Sequence, residues 1–140
     1  MRPRNLTPIY AVSPQIFPAD VAAIRSAGFV RVICNRPDSE IPPEIHADRT
    51  RALVEAAGME FVMNPVTGGA ISRDNIGAQK KAMTTAEGPV FAYCASGNRS
   101  SIVWALAQAG DVCADELIAA AARWGYDLEP FRAALAAPIG

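Results

Sequence analysis

The sequence predicts an α/β fold: a four-stranded, mainly parallel sheet flanked by about six helices. Three observations predict it. Short runs of apolar, often β-branched residues alternate with amphipathic segments along the chain. Glycine or proline punctuates nearly every change from one to the other. The run Val90-Phe91-Ala92-Tyr93 shows no polar alternation, as a strand covered on both faces requires.

Taken in order, Ile9-Tyr10-Ala11-Val12 reads as a short strand. Pro18 opens a helical segment with Val21 and Ile24 on one face, and Gly28 stops it. Phe29 to Cys34 is a second strand. Glu44 to Ala57 reads as a helix with Ile45, Ala52, Leu53 and Ala56 inward and Gly58 just past its end. Glu60 to Met63 is the third strand. Ser72 caps a helix running to about Ala86, with Ile76 and Met83 on one side. After Gly88-Pro89 comes the fourth strand, Val90 to Tyr93. Three helices follow: Ser100 to Ala109, Ala114 to Trp124, and a short one opened by Asp127 and Pro130. Leu117, Ile118, Ala121 and Trp124 share a face of the second. The segment Trp124, Tyr126 and Phe131 reads as helix packing at the sheet edge, the alternative being a contact surface for a partner.

The 140 residues suit one domain, residues 1–140, without repeat or linker. A net charge of −1 and the lack of a basic stripe argue against nucleic acid as a partner. The N-terminus MRPRNLTPIY lacks the apolar run of a secretory signal, and no segment is long enough to span a bilayer. No membrane partner and a cytoplasmic location are therefore expected. The three cysteines, Cys34, Cys94 and Cys113, lack zinc-type spacing and read as free thiols. A single histidine, His46, excludes a three-histidine metal site and reads as an exposed helix residue without a role. No cofactor and no metal are indicated, and nothing fixes an oligomeric state.

In open parallel sheets, ligands bind beyond the carboxyl ends of the strands. The segments leaving that edge are Asn35-Arg36-Pro37-Asp38-Ser39-Glu40, Thr67-Gly68-Gly69 and the loop Cys94-Ala95-Ser96-Gly97-Asn98-Arg99-Ser100. The last has the parts of an anion site. Gly97 permits a tight curl, so that the backbone N–H groups of Ala95, Ser96, Gly97, Asn98 and Arg99 can converge. The helix behind it turns its N-terminus to the same point. Such surroundings favour a thiolate, the reactive form of cysteine. Arg99 can fork onto two oxygens of an anion, and Ser100 can bond the sulfur or a departing group. Alternatively, Cys94 only fills the core and an ordinary turn follows.

These residues are similar to two known groups. Tyrosine and dual-specificity phosphatases carry His-Cys-x5-Arg-Ser/Thr. Rhodanese-type sulfurtransferases carry a shorter loop, close to Cys-x4-Arg. Here the spacing is Cys94-x4-Arg99, with Tyr93 in place of the histidine. The whole chain from Ile9 to about Leu135 resembles a third group, the phosphatase-like domain of bacterial beta-lactamase hydrolase-like proteins. The supporting stretches are Asn35 to Glu40, Asn64-Pro65-Val66, Gly88-Pro89-Val90, Cys94 to Ser100, and Gly125-Tyr126-Asp127-Leu128. This resemblance implies a protein-tyrosine-phosphatase-like fold.

Three functions follow. In the leading one, a cysteine-dependent phosphatase-like hydrolase, Cys94 attacks a phosphate ester and forms a cysteinyl-phosphate. Arg99 and the loop amides hold the oxygens, Ser100 helps release the thiolate, and a carboxylic acid protonates the leaving alcohol. Related phosphatases place that acid after the third strand, where this chain has Val66-Thr67-Gly68-Gly69-Ala70. Asp38 and Asp74 are the candidates, with turn and helix-end roles as their alternatives. Asn35 and Arg36 support the site, and Glu40 has no assignment. In the second, a sulfurtransferase, Cys94 carries a persulfide from a sulfane sulfur donor and needs no acid. In the third, the loop binds a small anion without turnover.

Overall fold

The computed structural model describes residues 2–67 and 71–136. Among them, five strands form one sheet in the order β1-β2-β5-β3-β4. They are β1 (Arg4–Thr7), β2 (Tyr10–Ser13), β3 (Arg31–Cys34), β4 (Glu60–Met63) and β5 (Val90–Tyr93). All neighbours pair in parallel except β1, which returns antiparallel on β2 through Thr7-Pro8-Ile9. This edge strand is the addition to the four strands expected. Its residues Arg-Asn-Leu-Thr give only one apolar position, Leu6, which is buried against the core. A polar edge strand leaves little apolar signal in the sequence.

Among the described residues, six α-helices cover both faces: α1 (Val21–Ser26), α2 (Ala47–Ala56), α3 (Arg73–Thr84), α4 (Asn98–Ala107), α5 (Ala114–Ala122) and α6 (Arg132–Ala136). Successive strand residues point to opposite faces. Val12, Ile33 and Ala92 therefore pack with α4, α5 and α6 through Trp104, Leu117 and Leu135. Ala11, Val32 and Phe91 pack with α1 and α2 through Ile24 and Val54. Central β5 is buried along its whole length, in keeping with its unbroken apolar run.

Two expected faces differ. Helix α2 starts only at Ala47, behind 3₁₀ turns at Asp38–Glu40 and Pro43–Ile45. It buries Ala47, Thr50 and Val54, while Leu53 stays 40% exposed. Polar Thr50 also faces inward, near Tyr93, which apolar spacing could not reveal. Helix α5 buries Leu117, Ile118 and Ala121 as expected but ends at Ala122, so Trp124 lies beyond it and is 41% exposed. Ser72 does cap α3, exchanging hydrogen bonds with Asn75. His46 is not a free surface histidine. It precedes α2, is half-buried, and its Nε2 lies 3.1 Å from the Ile41 carbonyl.

The register decides where chemistry can sit. Ser13, Tyr93, Cys34 and Met63 lie side by side at the carboxyl ends of β2, β5, β3 and β4. The residues that follow, Pro14, Cys94, Asn35 and Asn64, therefore leave the sheet at one edge. No helix among the described residues is long and apolar enough to cross a membrane.

Candidate active site

Between β5 and α4 the chain makes one tight turn. Cys94 is wholly buried at its base, its N–H donating to the Ser13 carbonyl at 3.4 Å. Gly97 comes back over the sulfur, and its N–H donates to Cys94 Sγ at 3.1 Å. Gly97 has φ +95°, a conformation that side chains resist. A Cβ there would also run into the Tyr126 hydroxyl. Both reasons require glycine at this point. Helix α4 begins at the next residue, so its free N–H groups and dipole face the loop.

The outer wall of the loop is pinned from two sides. The Gln15 N–H donates to Ala95 O at 3.3 Å. The Tyr126 hydroxyl donates to Ser96 O at 2.8 Å and accepts from Arg4 Nη1 at 2.6 Å. Ser96 Oγ in turn accepts from the Asn98 N–H at 3.2 Å. Ala95, Ser96 and Asn98 are exposed at the loop's surface.

Arg99 leaves the first turn of α4 and reaches across the edge. Its Nη1 donates to Val66 O at 2.8 Å and to Glu40 Oε2 at 2.9 Å, and Nη2 donates to Glu40 Oε1 at 2.7 Å. The Glu40 bonds hold the guanidinium charged, and the nearby Cys94 adds to that in a smaller way. Arg36 grips the same glutamate: Nε donates to Glu40 Oε1 at 3.1 Å and Nη2 to the Glu40 carbonyl at 3.2 Å. Its Nη1 reaches Gln15 Oε1 at 3.3 Å. The bonds from Arg99, reinforced by Arg36, hold the Glu40 carboxyl below the usual glutamate range. Glu40, unassigned in the sequence, is thus the anchor of both arginines.

The floor is neutral and buried. Asn35 Nδ2 donates to Asn64 O at 2.9 Å and to Gln79 Oε1 at 3.0 Å. Asn64 Nδ2 donates to the same Gln79 oxygen at 3.0 Å, and Gln79 Nε2 donates to the Tyr10 hydroxyl at 2.8 Å. Tyr10 donates onward to Ser100 O at 3.1 Å. Burial pushes the Tyr10 hydroxyl pKa up, so it serves as a neutral donor.

Two expected site residues take other positions. The Ser100 hydroxyl does not donate to sulfur: it is wholly buried and donates to Asn35 Oδ1 at 2.9 Å. Asp38 is engaged away from the loop. Its Oδ1 accepts the Ala47 N–H at 2.8 Å, satisfying a free donor at the start of α2. Asp74 is exposed in the first turn of α3. Of the expected flap Thr67-Gly68-Gly69, only Thr67 lies within the described residues. Cys34 is buried at the end of β3, which pushes its thiol pKa up, while Cys113 is exposed before α5.

Sequence reasoning missed Tyr10, Gln79 and Tyr126 as supports. One signal was present for Gln79: it lies three residues from Ala82, on the inward face of α3.

The family model for the phosphatase-like domain of beta-lactamase hydrolase-like proteins matches residues 3–111. The chain belongs to that family. A beta-lactamase hydrolase-like protein of Agrobacterium fabrum is 37% identical over 93 residues, which are 66% of this chain and 22% of the relative. The phosphatase-like domain described here thus matches about a fifth of that protein's length. A candidate phosphatase from Neisseria meningitidis, known as a crystal structure, superposes with a TM-score of 0.81 at 34% identity over 94% of each chain. The active form of Tk-PTP superposes at 0.73 with 16% identity, over 95% of this chain and 92% of its own. At that identity the likeness speaks for the fold alone: a phosphatase-like domain on a tyrosine-phosphatase-like scaffold.

Proposed function

We propose that this domain is a cysteine-dependent hydrolase of activated phosphate monoesters. The observation that carries the reading is the Cys94 sulfur held by the Gly97 N–H just before the N-terminus of α4, with Arg99 of that helix's first turn anchored by Glu40 and Val66. Cys94 Sγ attacks phosphorus, a sulfur–phosphorus bond forms, and the bond to the ester oxygen breaks with its electron pair on that oxygen. Loop amides and the Arg99 edge not engaged by Glu40 stabilise the charge on the equatorial oxygens. Water then cleaves the cysteinyl-phosphate and releases inorganic phosphate.

None of the carboxylates Glu40, Asp38 and Asp74 stands ready to give the leaving oxygen a proton. Glu40 is held ionised by two arginines, Asp38 is engaged at α2, and Asp74 lies on the exposed start of α3. Turnover therefore favours esters whose leaving group departs as an anion, such as aryl and acyl phosphates, over alkyl phosphates.

The same lack supports a second reading, sulfur transfer. The Cys94 thiolate takes the outer sulfur of thiosulfate with expulsion of sulfite, and cyanide removes that sulfur as thiocyanate. No acid is needed, and the Cys94-x4-Arg99 spacing makes a ring small enough for one sulfur atom. Parallel assays decide. The hydrolytic reading expects phosphate release from p-nitrophenyl phosphate and none of the thiocyanate signal. Thiocyanate formation without phosphate release overturns it in favour of sulfur transfer. Anion binding with neither product reduces the domain to a binding module.

A further inference from the structure

The peptide unit between Ser96 and Gly97 faces two ways. Its N–H points inward and donates to Cys94 Sγ at 3.1 Å. Its C=O points outward and accepts from the Tyr126 hydroxyl at 2.8 Å. The C=O and N–H of one trans peptide are antiparallel and lie in one plane, so holding the first aims the second. Tyr126 comes from the segment beyond α5 and is buried.

Glycine does not fix this orientation by itself. A half-turn of the peptide changes ψ of Ser96 and φ of Gly97, and it carries that φ from +95° into the ordinary negative range. Glycine adopts both signs about equally readily. In the turned state the Ser96 carbonyl, and not an N–H, would face the sulfur, which disfavours a thiolate. Gly97 thus permits the observed orientation without choosing it. Arg4 makes the outside hold directional. A guanidinium only donates, and Arg4 Nη1 donates to the Tyr126 oxygen at 2.6 Å. The hydroxyl proton is left to point at Ser96 O. Burial pushes the Tyr126 hydroxyl pKa up, so it stays protonated and donating.

We propose that Tyr126 is a positioning residue for Cys94: through the 96–97 peptide it keeps the Gly97 N–H on the sulfur, and Arg4 keeps Tyr126 donating. The inference rests on Cys94 as the nucleophile and adds what holds its sulfur ready, for phosphate and sulfur transfer alike. The relay runs from Arg4 of β1 through Tyr126 and the 96–97 peptide to Cys94, so the edge strand and the segment after α5 both act on the loop.

The titratable groups whose charge bears on Cys94 are Tyr10 of β2, Cys34 of β3, Arg99 of α4 and Tyr126 itself, with Glu40 behind Arg99 and Arg4 behind Tyr126. Tyr126→Phe keeps all the others and removes one hydroxyl. The test reads the pH at which half of the Cys94 sulfur is thiolate, from the ultraviolet absorbance of each chain minus that of its Cys94→Ser counterpart. Tyr126→Phe is expected to raise that pH by about one unit, the size of one hydrogen bond to a charged group. The Gly97 amide proton is followed by NMR alongside. In the wild-type chain it should move with the same midpoint, and in Tyr126→Phe it should lose most of that movement. An unmoved midpoint overturns the inference. So does a raised midpoint with the Gly97 proton still following the sulfur, because the hydroxyl would then act by its dipole alone. Neither readout needs turnover: a chain that meets both expectations and releases no phosphate from p-nitrophenyl phosphate keeps the positioning role and loses the hydrolytic reading.

Discussion

The floor and the rim of the 94–99 loop are built from different physics. Beneath the loop, Asn35, Asn64, Gln79, Tyr10 and Ser100 form a buried chain of neutral hydrogen bonds that ties β2, β3, the β4 exit, α3 and α4 together. At the rim, Arg36, Glu40 and Arg99 form a charged trio still touched by water, with side-chain exposures of 21%, 32% and 18%. Buried amide networks are costly to leave half-satisfied, whereas ion pairs near solvent contribute little to stability. The floor should therefore set whether the loop has its shape, and the rim should set how it meets an anion.

The largest expected effect lies where loop and wall meet. Gly97→Ala forces a side chain into a positive-φ position and against the Tyr126 hydroxyl. A loss of about 3 kcal/mol is expected in urea denaturation. Tyr126→Phe removes the obstructing oxygen, so the double variant should recover part of that loss. Strict additivity would show that the clash is absent. Next comes the floor. Asn35→Leu removes the acceptor of the Ser100 hydroxyl and one of the two donors to Gln79 Oε1. It should cost about 2 kcal/mol or more. A cost below about 0.5 kcal/mol would erase the contrast with the rim.

Tyr126→Phe alone should be milder, about 1 kcal/mol, since it removes bonds to Ser96 and Arg4 that are only part-buried. Glu40→Gln should be the smallest in stability, under about 1 kcal/mol, because a third of the glutamate remains in water. Its effect on kcat/KM should be larger in proportion, about tenfold, because Arg99 loses its anchor. The pH dependence carries a sign. Glu40 titrates below its ordinary range when folded, so the stability it adds is complete above about pH 4.3 and fades as pH falls through the lower, folded value. Glu40→Gln should flatten that acid limb. An equally steep limb would assign it to other carboxylates.

Apolar patterning made most of the fold legible. Strands β3, β4 and β5 and the starts of α3 and α5 lie at or within three residues of where the sequence put them. Polar residues turned inward were not legible. Thr50 on α2 and Gln79 on α3 read as surface until their partners, Tyr93 and the Asn35–Asn64 pair, are brought beside them. The site divides the same way. Cys94, Gly97 and Arg99 are adjacent in sequence and could be read from one loop, with the curl that Gly97 permits present in the structure. Glu40 and Tyr126 reach that loop from 59 and 30 residues away, through side-chain bonds that no local pattern encodes. Asp38 and Ser100 each have a polar partner outside the loop, the Ala47 N–H and Asn35, which no local pattern encodes.

The central claim is that Cys94 is the nucleophile. Quenching the chain during turnover of p-nitrophenyl phosphate and mapping peptides by mass spectrometry tests it most directly. The account expects phosphorus on Cys94, and neither adduct nor phosphate release from the folded Cys94→Ser chain. Undiminished phosphate release from that variant would contradict it.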